Sequence, residues 1–98
     1  MNDIWQALAH PARRRVLAAL RAGSMSAGDL GELFDFSGAT LSGHLKVLRE
    51  ADLVSYDREG TRRIYRLNLS VAEDALAGLL DLLRTGEARQ DAGLGDTE

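Results

Sequence analysis

The stretch from Ser37 to Val54, SGATLSGHLKVLREADLV, can pack on one side only. Leu41, Leu45 and Leu48 recur at i, i+4 and i+7, the spacing of a core-facing stripe on a helix. Winding at about 3.6 residues per turn sets Ala39, Ser42, Gly43 and Lys46 on the opposite side. A merely solvated surface is normally filled with long, strong helix formers. This one carries short side chains, a glycine and a single lysine. Glycine in a helix interior costs about 1 kcal/mol relative to alanine. Such a helix needs a core behind it, and it leaves room in front for a close, rigid neighbour.

The flanking segments define what the helix belongs to. Asp35-Phe36 is a tight connection, and Ser37 is suited to cap the helix that follows. Upstream, Ser26 opens a short helix through Leu30, Leu33 and Phe34, with Asp29 at capping-box spacing. Before it, PARRRVLAALRA places Pro11 at a first helical position, turns Val16, Leu17 and Leu20 inward, and stops at Gly23. A first helix spans Asn2 to Ala9, with Ile4, Trp5 and Leu8 on one side.

After Asp52 the period changes. LVSYDREGTRRIYRLNL reads as two strands, about Val54 to Arg58 and Arg62 to Leu67. Glu59-Gly60 forms their turn, where Gly60 can take positive φ. Ser70-Val71-Ala72-Glu73 then fits a capping box for a last helix that runs to about Leu83. The expected fold is mainly α: four helices, a β-hairpin and a fifth helix. Residues 1–85 form one domain, and residues 86–98, poor in large apolar residues, are expected to be a disordered acidic tail.

Composition narrows the function classes. No apolar run approaches the roughly 18 residues of a membrane span, so no membrane insertion is expected. No secretory signal is legible, and the expected compartment is the cytoplasm. With no cysteine there is no thiolate metal site or disulfide framework. His44 and His10 are the only histidines, and His44 falls beside the leucine stripe, where a partly buried, hydrogen-bonded role is expected. No paired-histidine motif, acidic calcium loop, phosphate-binding glycine loop or catalytic triad can be assembled, so neither a metal, a cofactor nor an enzyme activity is expected. The net charge of −3 resides wholly beyond Thr85, and the first 85 residues are neutral overall. Clusters of arginine at 13–15 and at 58–66 can therefore still meet phosphate. Of these, Arg13 is expected to make an ion pair at the core edge, with Arg14 and Arg15 pointing outward.

A short helix, a tight turn and a second helix with a small polar face form a helix-turn-helix, whose second helix enters the major groove. The expected DNA-binding residues are Ser37, Ala39, Thr40, Ser42, Gly43 and Lys46 on the helix over 37–51. Arg58, Arg62 and Arg63 join them on the hairpin wing over 57–63, with Ser26 at the start of the preceding helix. Hydroxyls can donate or accept to bases and phosphates, and arginine suits phosphate and narrow minor grooves. The last helix has an apolar face broader than a small monomer needs. Leu76, Leu79, Leu80 and Leu83, together with Ile4, Trp5 and Leu8, are the expected homodimer interface. A two-fold dimer would match a palindromic operator with half-sites about 34 Å apart.

Four segments in order, ALAHPARRRVLAAL, MSAGDLGELF, SGATLSGHLKVLREADLV and REGTRRIYRLN, resemble the ArsR-type winged-helix transcriptional repressors from Ile4 to Leu83. Within that family the chain is most similar to the SdpR-like autorepressor group. The resemblance implies a winged helix-turn-helix, a repressor function, and DNA-reading positions at Ser37, Thr40, Ser42, Gly43 and Lys46. It also places the wing at residues 58–63 and the dimer interface on the first and last helices. Metal-sensing members carry cysteines around the helix-turn-helix or histidine and acidic pairs on the last helix. Here Ser26 to Leu33 has no cysteine and the last helix has no histidine, so the metal-sensing chemistry is missing. A different class of function remains open at this point, a protein-interaction module on the same scaffold without DNA binding, suggested by Glu50, Asp57 and Glu59 near the reading surface. An unidentified protein or small-molecule regulator is a further possible partner.

Overall fold

The computed structural model describes residues 3–85; the acidic tail expected at 86–98 lies outside the described residues. Within them the order is α1 (Ile4–Leu8), α2 (Pro11–Arg21), β1 (Met25–Ser26), α3 (Ala27–Leu33), α4 (Gly38–Glu50), β2 (Val54–Glu59), β3 (Arg62–Leu67) and α5 (Leu69–Thr85). The strands form one antiparallel sheet in the order β1-β3-β2. This is a winged helix-turn-helix, mainly helical, with the sheet as its wing.

Local chemistry sets most of the boundaries. Asp3, His10, Ser26 and Ser37 each cap a helix by accepting a backbone N–H, from Gln6, Ala12, Asp29 and Thr40 respectively. The end of α4 is a Schellman motif: Leu53 N–H donates to the Leu48 carbonyl and Asp52 N–H to that of Arg49. Asp52 takes the left-handed conformation at φ 63° that this motif usually gives to glycine. The hairpin pairs Glu59 with Arg62 across Gly60 and Thr61, with Gly60 at φ 65°. Positive φ at the first central residue only is the pattern of a type II′ turn, whose twist matches that of the strands.

The core is aliphatic but for one tyrosine: Val16 and Leu20 of α2, Leu30 of α3, Leu41, Leu45 and Leu48 of α4, then Leu53, Val54 and Tyr65. It holds the leucine stripe of α4 in place and leaves the opposite side free.

Several expectations need correction. β1 was not expected; Met25 and Ser26 pair with Tyr65 and Ile64. Two residues have no periodicity to read, and only the neighbouring hairpin makes them a strand. The last helix begins at Leu69, one residue ahead of Ser70. Its entry is set from across the fold by Asn68, whose side-chain amide donates to the Asp52 carbonyl at 2.9 Å and accepts from the Ser55 hydroxyl at 3.0 Å. The first helix starts at Ile4, two residues later than Asn2, because Asp3 is its cap. Leu33, read as inward, is exposed.

Candidate nucleic-acid interface

The outer face of α4 is open along its length. Ser37, Ala39, Thr40, Ser42, Gly43 and Lys46 are all exposed, and Leu41, Leu45 and Leu48 behind them are buried. A Cβ added at Gly43 would meet nothing within 4 Å. No packing among the described residues therefore requires glycine there, although the helix loses about 1 kcal/mol by having it. At the front end, the Ser37 hydroxyl accepts from Thr40 N–H at 3.1 Å and donates to Thr40 Oγ1 at 2.9 Å. The Thr40 hydroxyl proton remains able to donate outward.

The two-residue alternation of strands divides the wing arginines between two faces. Arg58 and Arg63 are Cα partners, on the face that carries Tyr56 and Tyr65. Arg62 lies on the other face, opposite Glu59. Alternation thus sets Arg62 on the opposite face from Arg58 and Arg63, although Arg62 and Arg63 both reach one cleft beside α4. Arg63 stacks over the Tyr56 ring at 4.7 Å, and Arg49 approaches the same ring at 5.4 Å. A hydrogen bond with the Tyr65 side chain pushes the Arg63 pKa further up, so its charge is fixed. Arg58 and Arg63 thus set two positive side chains on one face of the wing. The signal for this face was present in the sequence, in the alternation of Tyr56, Arg58, Arg63 and Tyr65, but it becomes a site only once the strand register is known.

Arg62 reaches Asp29 of α3 at 3.9 Å, an exposed pair of little energetic weight. With Arg63, Thr61, Gly28 and Ser42 it lines a cleft between the wing, the start of α3 and one flank of α4. Ser26 borders this cleft, but its side chain is buried and its hydroxyl accepts from Asp29 N–H at 3.0 Å. The hydroxyl thereby fixes the start of α3 at the edge of the cleft. The acidic residues that suggested a surface without DNA are partly accounted for. Asp57 is paired with Arg66, and Glu59 lies on the Arg62 face.

Behind α4, His44 is buried against His10, whose ring centroid is 4.7 Å away, and Phe36 at 5.4 Å. Arg13 Nε donates to His44 Nδ1 at 3.3 Å, and Arg13 Nη1 donates to the Gln6 carbonyl at 3.3 Å. The expected ion pair of Arg13 is instead a pair of bonds to neutral acceptors. Burial, then the nearby His10 and Arg13, lower the His44 pKa and keep its ring neutral. Arg14 donates to the Leu8 carbonyl at 2.7 Å, and Arg15 lies over the Phe34 ring.

The expected dimer residues fall into two groups. Ile4 and Leu8 are half-buried against the core. Trp5 is 45% exposed, and on α5 Leu76, Leu79, Leu80 and Leu83 are 51%, 38%, 44% and 69% exposed, with Leu82 beside them at 50%. Among the described residues no cluster of three or more His, Asp or Glu side chains could hold a metal ion, and no helix is long and apolar enough to cross a membrane.

Comparison with known proteins places these features in a family. A helix-turn-helix domain model matches residues 8–56. The transcriptional repressor SdpR of Bacillus subtilis (strain 168) is 36% identical over 87 residues, which is 89% of this chain and 97% of that protein. The arsenical resistance operon repressor of Staphylococcus aureus is 33% identical over 89 residues, 91% of this chain and 85% of that one. Among solved structures, an ArsR family transcriptional regulator superimposes with a TM-score of 0.77 at 27% identity, covering 88% of this chain and 94% of its own. A possible transcriptional regulator for arsenical resistance gives a TM-score of 0.74 at 34% identity, covering 85% of each chain.

Proposed function

The chain belongs to the ArsR-type winged-helix transcriptional repressors, and from that premise we propose that it is a homodimeric, sequence-specific DNA-binding repressor acting on a palindromic operator. The α4 helix lies in the major groove and presents Ala39, Thr40, Ser42, Gly43 and Lys46 to the bases. The wing, through Arg58, Arg63 and Arg62, holds the backbone. Occupation of a promoter by the pair of reading helices then excludes the transcription machinery. The carrying observation is Gly43, which costs helix stability and has open space in front of it among the described residues. The protein-interaction reading lacks a comparable support, since the similar proteins are named as repressors.

Dimerisation follows from α5. Val71 and Ala72 pack against the core, but from Glu73 onward the helix stands largely free of it, with its leucines exposed. A contiguous apolar surface of this kind is usually an interface. A second copy, packed along α5 and Trp5, would set two reading helices on adjacent turns of one duplex, about 34 Å apart. Residues 1–85 are the functional domain in this reading, and the cytoplasm is its compartment. No metal or cofactor has a part in it.

Selection of binding sites from random duplexes with the purified protein tests the proposal directly. An enriched inverted repeat is the expected product. Lys46→Ala should weaken binding to it, and Arg58→Ala with Arg63→Ala should flatten the dependence of affinity on salt. No enriched motif at low salt would reject the reading.

A further inference from the structure

We propose that the cleft between α1, the start of α2 and the far flank of α4 is a seat for a phosphate oxyanion. In the DNA complex it holds a backbone phosphate on the strand opposite the one gripped by the wing. This assignment of the second strand rests on the reading that α4 lies in the major groove.

The cleft is lined by Gln6, Ala9, His10, Pro11, Arg13 and Val47. Arg13 is half-buried, and its guanidinium is held by the His44 ring nitrogen and the Gln6 carbonyl. Neither acceptor carries the negative charge that would compensate it. Of the five N–H donors of an arginine, two are used in these bonds and three remain. His10 adds a donor whose position is fixed. Its Nδ1 accepts from Ala12 N–H at 3.1 Å, so the neutral ring carries its proton on Nε2. The edge-on contact with His44 holds that ring in place. A half-buried cation beside a fixed N–H donor suits an oxyanion and repels a metal ion.

Placement supplies the second half of the inference. Val47, in this cleft, follows Leu45, in the wing-side cleft, by two residues, which is roughly 200° around a helix. The two clefts therefore lie on opposite sides of α4, one bordered by exposed Ser42 and the other by half-buried Val47. A helix in the major groove, about 12 Å wide, has one phosphate strand on each side. The wing arginines face one, and His10 with Arg13 face the other. A free phosphate-bearing molecule offers the same chemistry, and experiment separates the two sources.

Two variants and two probes suffice. His10→Asn keeps an N-capping oxygen for Ala12 but removes the outward donor. Arg13→Gln removes the charge, and its fold is checked by thermal melting. Inorganic phosphate at millimolar concentration, titrated without DNA, should move the His10 ring resonances of the parent and leave those of Arg13→Gln unmoved. With the duplex recovered by selection, His10→Asn should bind about tenfold more weakly, and Arg13→Gln should lower the slope of log affinity against log salt by about 0.9. If phosphate shifts the resonances while both variants bind duplex as the parent does, the seat serves a free oxyanion and the backbone assignment is overturned. If neither probe responds, the whole proposal is overturned. A parent that binds phosphate but no duplex would sink the repressor reading and leave the seat standing.

Discussion

Replacing Gly43 with alanine should stabilise the protein and impair it. The stabilising part follows from the helix alone. Gly43 is the sixth residue of a 13-residue helix, and a Cβ there has nothing within 4 Å to clash with. The full propensity difference of about 0.8–1.0 kcal/mol is then realised. In a domain of this size that raises the melting temperature by roughly 4–8 °C. The comparison must be made at a fixed protein concentration, because the stability of a dimer depends on it. The impairing part follows from the close approach of a rigid groove. A methyl group forced against a surface that cannot yield costs roughly 1–3 kcal/mol, which is about a 5- to 150-fold loss of affinity. Thermal melting and gel-shift titration on the same preparations measure both. If Gly43→Ala melts higher and binds its operator as tightly as the parent, α4 does not lie close against DNA at this position. If it melts lower, the space in front of Gly43 is not open in solution.

The other expectations rest on separate features. Asp52→Gly should stabilise by up to about 1 kcal/mol, because Asp52 occupies a left-handed conformation that glycine adopts without a Cβ penalty; an unchanged urea midpoint would show that its side chain compensates. His44, with its pKa lowered below the ordinary 6.5, takes up a proton more readily in the unfolded chain than in the folded one. Stability should therefore be flat above pH 6.5 and fall as pH drops through 6.5 toward the lower folded value. Urea titrations from pH 8 to 5 check this, and His44→Gln should flatten that portion of the profile. On the proposed homodimer, Leu76→Asp with Leu80→Asp should leave only monomer in sedimentation and abolish tight operator binding. An unaltered dimer would place the interface elsewhere. Arg58→Ala with Arg63→Ala should reduce the salt slope by about 1.8, twice the value for one phosphate contact.

Gly43 is unfavourable for the isolated helix, and no contact within the described residues repays it. Local costs of this kind concentrate at functional sites.

The leucine stripe and the small outer face of α4 were legible in the sequence because side chains at i, i+4 and i+7 must share a side of any helix. The same holds for Ser26 and Ser37 as caps and for Gly60 in the turn, since each depends on residues within four positions of itself. What no local rule contains is which distant groups come to stand beside one another. Strand β1 exists only because the hairpin lies alongside it, and the start of α5 is set by Asn68 bonding to Asp52 and Ser55. The strand register placed Arg62 on the opposite face from Arg58 and Arg63, and the fold buried the Ser26 hydroxyl beside the wing. Arg13 found a histidine, 31 positions away, where a carboxylate was expected. Periodicity and capping act over a single turn of chain and are written in the order of residues. The electrostatic partners of a side chain are chosen by tertiary packing, which brings segments together without regard to their distance in sequence.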